Sequence, residues 1–200
     1  MARLSLNKAQ MAREAEALST YRKFLPALDL KRQQLMAARA ETQARIARME
    51  ADLADLTEAV GAEIPMLANA DIRLEGLVEV AGQRRGTRNV AGITLPVLED
   101  IEIAVAPYGY LTRPHWVERV VARLEEALRL RLAIAVEHEA LAILARAVAT
   151  VTQRVNLFEK VLIPRAQANI KRIRIALGDM ERAAVVTSKI AKRKREVAHG

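Results

Sequence analysis

Apolar side chains recur every seven residues in two long stretches at opposite ends of the chain, separated by about fifty residues of alternating and turn-rich sequence. In the first stretch the series is Leu4, Met11, Leu18, Leu25, Arg32, Arg39, Ile46, Leu53 and Val60, with Tyr21, Leu28, Leu35, Met49 and Leu56 three positions further along. Only a helix brings such positions onto one face. The second stretch carries Val120, Ala127, Ile134, Leu141, Val148, Val155 and Leu162, and beside it Val121, Leu128, Ala135, Ala142 and Ala149, which predicts a wider, Ala-rich face. Arg32, Arg39, Arg131, His138 and Glu159 fall at seam positions, where polar residues set register at a cost in stability.

The first helix is expected from Asn7, an N-cap residue, to Gly61, a C-cap residue, with a kink or break where Pro26 removes a hydrogen bond. Between Gly61 and Pro114 the period changes to alternation. Leu74, Leu77, Val78 and Val80 lead into AGQRRGTRNVAG, residues 81–92, which reads as a long exposed turn presenting Arg84 and Arg85. Ile93, Leu95, Val97, Ile101, Ile103 and Val105 suggest the returning strand, with Pro96 at an edge or bulge. Pro114 marks the start of a second helix running to about Lys192, interrupted by Pro164 and Gly178. The expected architecture is mainly α. An N-terminal coiled-coil helix (1–61), a central foot with a β-hairpin (62–113), a C-terminal coiled-coil helix (114–192) and a basic tail (193–200) follow in order. Helices this long with one apolar stripe must pair. An intramolecular antiparallel pair is the economical arrangement, and a parallel homodimer the competing one.

Composition narrows the chemistry. Of 200 residues 52% are hydrophobic but only 3% aromatic, as in long helices rather than an ordinary core, and the chain has no cysteine, which removes disulfides and thiolate chemistry. No run of about 18 apolar residues occurs, so direct membrane insertion is not expected, and neither is a signal peptide. The net charge of +8 is uneven: residues 165–200 hold ten basic and three acidic side chains, whereas 62–113 hold five and seven. The glycines at 76, 82, 86 and 92 lack phosphate-loop spacing, and His115, His138 and His199 are too scattered for a metal site. No catalytic constellation, cofactor or metal is expected. The tail Lys189–Arg195 reads as a solvated helix end, a protein contact or a nucleic-acid contact, the last without a stacking platform. Tyr108, Tyr110 and Trp116 either fill the small foot core or anchor a partner.

The run QRVNLFEKVLIPRAQANIKRIRIALGDMER, residues 153–182, resembles the C-terminal motif of the D subunit of the V/A-type rotary ATPases. Arg154, Val155, Asn156, Glu159, Val161, Ile163, Pro164 and Arg165 are among the matching positions. Shorter matches at LDLKRQQL (28–35) and NVAGITLP (89–96) fall where that family places them, so the resemblance covers nearly the whole chain, as a diverged bacterial member. Departures include Leu6-Asn7-Lys8 at the start, and Lys160 and Arg172 where aromatics are frequent. The resemblance implies a non-catalytic central rotor shaft that carries torque between a hexamer of A and B subunits, where ATP turns over, and an ion-translocating membrane ring. It implies the F subunit and a connector of the C/d type as further partners, and a peripheral place on the cytoplasmic face of the cell membrane. Arg165, Lys171, Arg172 and Arg174, with Arg84, Arg85, Tyr108, Tyr110 and Trp116, are the candidate partner contacts. The alternative is a basic coiled-coil adaptor that binds nucleic acid or an export-type ATPase.

Overall fold

The computed structural model describes residues 4–65, 76–106 and 116–198. Helix α1 spans Lys8–Glu63, strands β1 and β2 span Val78–Val90 and Ile93–Val105, and helix α2 spans Trp116–Leu157. A π-helical segment, Phe158–Leu162, leads directly into α3, Ile163–Ala198. The chain divides into two compact units, Met1–Lys31 with Val151–Gly200 and Arg32–Thr150, so each long helix contributes to both. Among the described residues no helix is long and apolar enough to cross a membrane.

Helix α1 starts as its sequence requires. Asn7 Oδ1 accepts the Gln10 backbone N–H at 2.8 Å, which satisfies one of the donors left open by the first turn. The other end differs from expectation: Gly61 lies within the helix, which continues to Glu63, and Pro26 is carried inside α1 without ending it. Gly178 likewise lies inside α3 without ending it. A glycine weakens a helix without obliging it to stop, because flanking turns supply the remaining bonds.

In the unit Arg32–Thr150 the helices pair antiparallel within the chain. Arg45 Nη2 meets Glu137 Oε2 at 2.9 Å, and further along α1 Arg123 Nη2 meets Glu63 Oε1 at 3.0 Å, so one number rises as the other falls. The seam is not the strict seven-residue series. On α1 the inward residues are Leu35, Ala38, Thr42, Ile46, Met49, Leu53 and Leu56, and the steps 38–42–46 insert an extra four-residue spacing. An α-helix drifts by roughly 20° per heptad, and such a step restores the phase. Arg39 is consequently exposed, and Thr42 takes an inward place with no exposed surface. On α2 the buried stripe is Val136, Ala140, Leu144 and Val151, whereas Ala135, Ala142 and Ala149 of the expected Ala-rich face are exposed. Arg131, His138 and Glu159 also lie outside the seam. Alanine has too little surface to choose a face, and larger Val and Leu side chains decide it.

The hairpin corrects the sequence reading most. Residues 81–90, expected as exposed turn, belong to β1, which pairs antiparallel with β2 from Val78↔Val105 to Val90↔Ile93. Two register shifts compensate each other: Ala81 is the extra residue on β1 and Glu99 the extra residue on β2, so the ladder resumes its starting register. Both strands are edges, which accommodates Pro96. The actual turn is Ala91–Gly92, both with positive φ, 50° and 78°, and Asn89 Oδ1 accepts the Gly92 N–H at 2.9 Å. This is the geometry of a tight two-residue hairpin turn of the I′ kind, which favours Asn first and Gly second. Ala91→Asn is therefore expected to raise stability by about 0.5–1 kcal/mol in denaturant unfolding. A loss of stability would show that Ala91 is not strained.

The hairpin base packs on the start of α2. Leu77, Val117 and Val121 form a buried cluster, joined by Val78 and Trp116, and Ala106 N–H bonds Leu77 C=O at 2.9 Å. Further along, Arg129 Nη1 donates to Ile101 C=O at 3.3 Å, and Arg85 reaches Glu139. The hairpin thus lies along α2 over some twenty residues of helix rather than forming a bundle of its own.

Candidate functional site

Arg165, Lys171, Arg172 and Arg174 all lie exposed on α3. Their placement follows from helix geometry. Ala166 and Ile173 are buried, two turns apart on the seam face. Arg165 and Arg172 each precede a seam residue by one position and share one flank, Arg174 follows Ile173 on the other flank, and Lys171 points away from the seam. The four cations therefore surround α3 instead of forming a patch. Arg165 also lines an open groove of about 380 Å³ with Gln10, Glu14, Tyr21 and Asn169. Gln10 Nε2 donates to Glu14 Oε1 at 3.1 Å on its α1 wall.

Beyond Ile173 the helix leaves large apolar side chains uncovered: Ile175, Met180, Val185, Val186 and Ile190 are each more than half exposed. Every described side chain from Asp179 to Arg195 is exposed. Exposed apolar patches of this kind are a feature of interaction surfaces, which makes this helix end a candidate contact face.

The hairpin candidates are engaged within the chain. Arg84, 70% exposed, faces Glu99 and Asp100 of β2 at 3.4 and 3.7 Å. Arg85 donates through Nη1 to both oxygens of Glu139, at 3.0 and 3.3 Å, and through Nε to Gln83. Gly82 and Gly86 leave room over the ribbon for the Glu102 and Glu99 side chains, which a Cβ at either glycine would crowd. Trp116 is half-buried against the base cluster. Tyr108 and Tyr110 lie outside the described residues.

At the junction of Glu137, His138 and Glu139, sequence reasoning reads His138 as a packed or ion-paired residue rather than a metal ligand, and it misses the cross-element partners of the two glutamates. Successive helical side chains point about 100° apart, and these three reach different partners: Arg45 and Glu50 on α1, and Arg85 on β1. Arg45 uses its whole fork, bonding Glu137 through Nε and Nη2, Thr42 Oγ1 at 3.0 Å and Glu41 at 3.1 Å. Hydrogen bonding to Glu137 raises its pKa above the ordinary value, against a smaller opposing effect of burial. Arg123 is raised in the same way, first by its bond to Glu63 and then by its bond to Glu126. The signal available in advance was a Glu-His-Glu run on α2 facing the expected partner helix, but charge partners across a seam depend on register. No group of acidic or histidine side chains placed to hold a metal occurs among the described residues.

A family model for the D subunit of ATP synthase matches residues 10–193. The V-type ATP synthase D subunit of Borreliella burgdorferi is 32% identical over 194 residues, covering 96% of this chain and 95% of that one. The protein of the same description from Chlamydia pneumoniae is 28% identical over 199 residues, covering 97% and 94%.

Proposed function

Because this chain belongs to the ATP synthase D-subunit family, we propose that it is the central stalk of a V-type ATP synthase, a rotor that carries torque and no chemistry of its own. The observation that carries the reading is the end-to-end family match on an antiparallel helix pair whose hairpin is bound along α2. Torque transmission needs stiffness inside and weak, repeated contacts outside. The interlocking Val and Leu seam and the Arg45–Glu137 and Arg123–Glu63 pairs supply the first. Cations distributed around α3 supply the second, since exposed charges are screened within about 8 Å at physiological salt and do not lock one orientation.

In this reading the A and B subunits of a catalytic hexamer surround α3 and cover its exposed apolar residues. The F subunit engages the helix pair near the hairpin, and a C/d-type connector seats the chain above the membrane ring on the cytoplasmic face. Purification from detergent-solubilised membranes through a tag on this chain is expected to recover a nucleotide-binding hexamer together with it. Recovery alone, or with nucleic acid, would overturn the proposal in favour of a basic adaptor.

A further inference from the structure

Backbone hydrogen bonds are missing from both helices beside one contact in the unit formed by Met1–Lys31 and Val151–Gly200. On α1, Pro26 has no N–H, so the Arg22 carbonyl four residues earlier lacks its helical donor. On the opposing helix, the Ile163 N–H bonds Phe158 C=O, five residues back, instead of Glu159 C=O. The remaining helical donor for Glu159 would be the next residue, Pro164, which has none. Arg22 and Glu159 are both exposed residues on the outer side of their helices, where an open carbonyl costs little.

The two gaps share a level. Arg22 directly follows Tyr21, Glu159 directly follows Phe158, and those two rings meet edge to face with centroids 5.4 Å apart and planes at 80°. Where one helix of a pair is interrupted, its intact partner acts as a splint. Interruptions at the same level remove the splint. An edge-to-face ring pair is held by modest, weakly directional attraction and tolerates small rotations that an interdigitated aliphatic layer resists.

We infer that residues 21–26 and 158–164 form a flexure, a compliant joint at which the helix pair bends or twists more readily than in its fully α-helical turns, with Tyr21 and Phe158 as the pivot. The joint is a property of the chain, and only its use, as a compliant element within a rotor, rests on the rotor reading. Buried Val155 on one side and Ala166 on the other keep the seam closed around it.

Amide hydrogen exchange on the full chain tests this. Residues 22–27 and 158–165 are expected to exchange on the order of tenfold faster than residues 40–48 of α1 and 140–148 of α2. The double variant Pro26→Ala, Pro164→Ala, which restores both donors, is expected to bring those rates to within about threefold of the reference segments. Equal rates in the unaltered protein, fast exchange on one helix alone, or rates unmoved by the double substitution would each overturn the inference. Because exchange is read without partner subunits, its failure leaves the stalk reading standing, and failure of the hexamer to co-purify leaves the flexure standing.

Discussion

Replacing Arg165, Lys171, Arg172 and Arg174 together by alanine is expected to reduce ATP-driven ion pumping by the reconstituted complex roughly tenfold, with helix content unchanged. The four side chains are exposed and lie off the Ala166–Ile173 seam, so truncating them removes no buried surface. Alanine also has the higher helix propensity. What is lost is the field that each surrounding subunit would feel as α3 turns. The same variant should show a flatter salt dependence of pumping, because the removed contacts are the screened ones. Unchanged pumping with an unchanged salt profile would mean that the rotor is gripped through its apolar residues, Ile175 to Ile190, and not through its charges.

The second large effect is on stability. Leu35 and Leu144 have no exposed surface, and Leu35→Ala or Leu144→Ala is expected to lower the unfolding free energy by about 2–5 kcal/mol in urea titrations. Ala135→Ser and Ala142→Ser, at positions the seven-residue series would also place on the seam, should each change it by less than about 0.5 kcal/mol. The contrast separates the observed stripe from the strict heptad. Comparable losses at all four positions would mean that the Ala-rich face is covered after all.

Much of the architecture is legible in residue pattern alone. Seven-residue recurrence is a direct consequence of helical geometry, so both long helices and their need for a partner follow from it. The N-cap at Asn7 and the apolar alternation of β2 are equally local. Residues 81–90 read as a turn because Gly82, Gly86 and three arginines look like loop composition. They form a strand because the cross-strand glutamates use the space above the glycines, a fact that belongs to the other strand. The charged seam positions mislead for a similar reason. A fixed step of seven ignores helical drift, and only the packed partner shows where the four-residue correction falls.

Of the candidate contacts, the α3 cations are legible as a charge excess, but their distribution around the helix requires knowing which face Ala166 and Ile173 bury. Arg84 and Arg85 look free in sequence and are paired in the fold, with Glu99, Asp100 and Glu139.

The sequence by itself determined two long amphipathic helices, a hairpin between them, an excess of positive charge toward the C-terminal end and membership in one family. These rest on periodicities, composition and motifs that act within a few residues along the chain. The tertiary structure decided the antiparallel register, the stutter that buries Thr42 and exposes Arg39, the seating of the hairpin on α2, and the meeting of Tyr21 with Phe158 where both helices lack a hydrogen bond. Each of those depends on which residues far apart in sequence come within a few ångströms, and that is fixed by packing, which no single segment encodes.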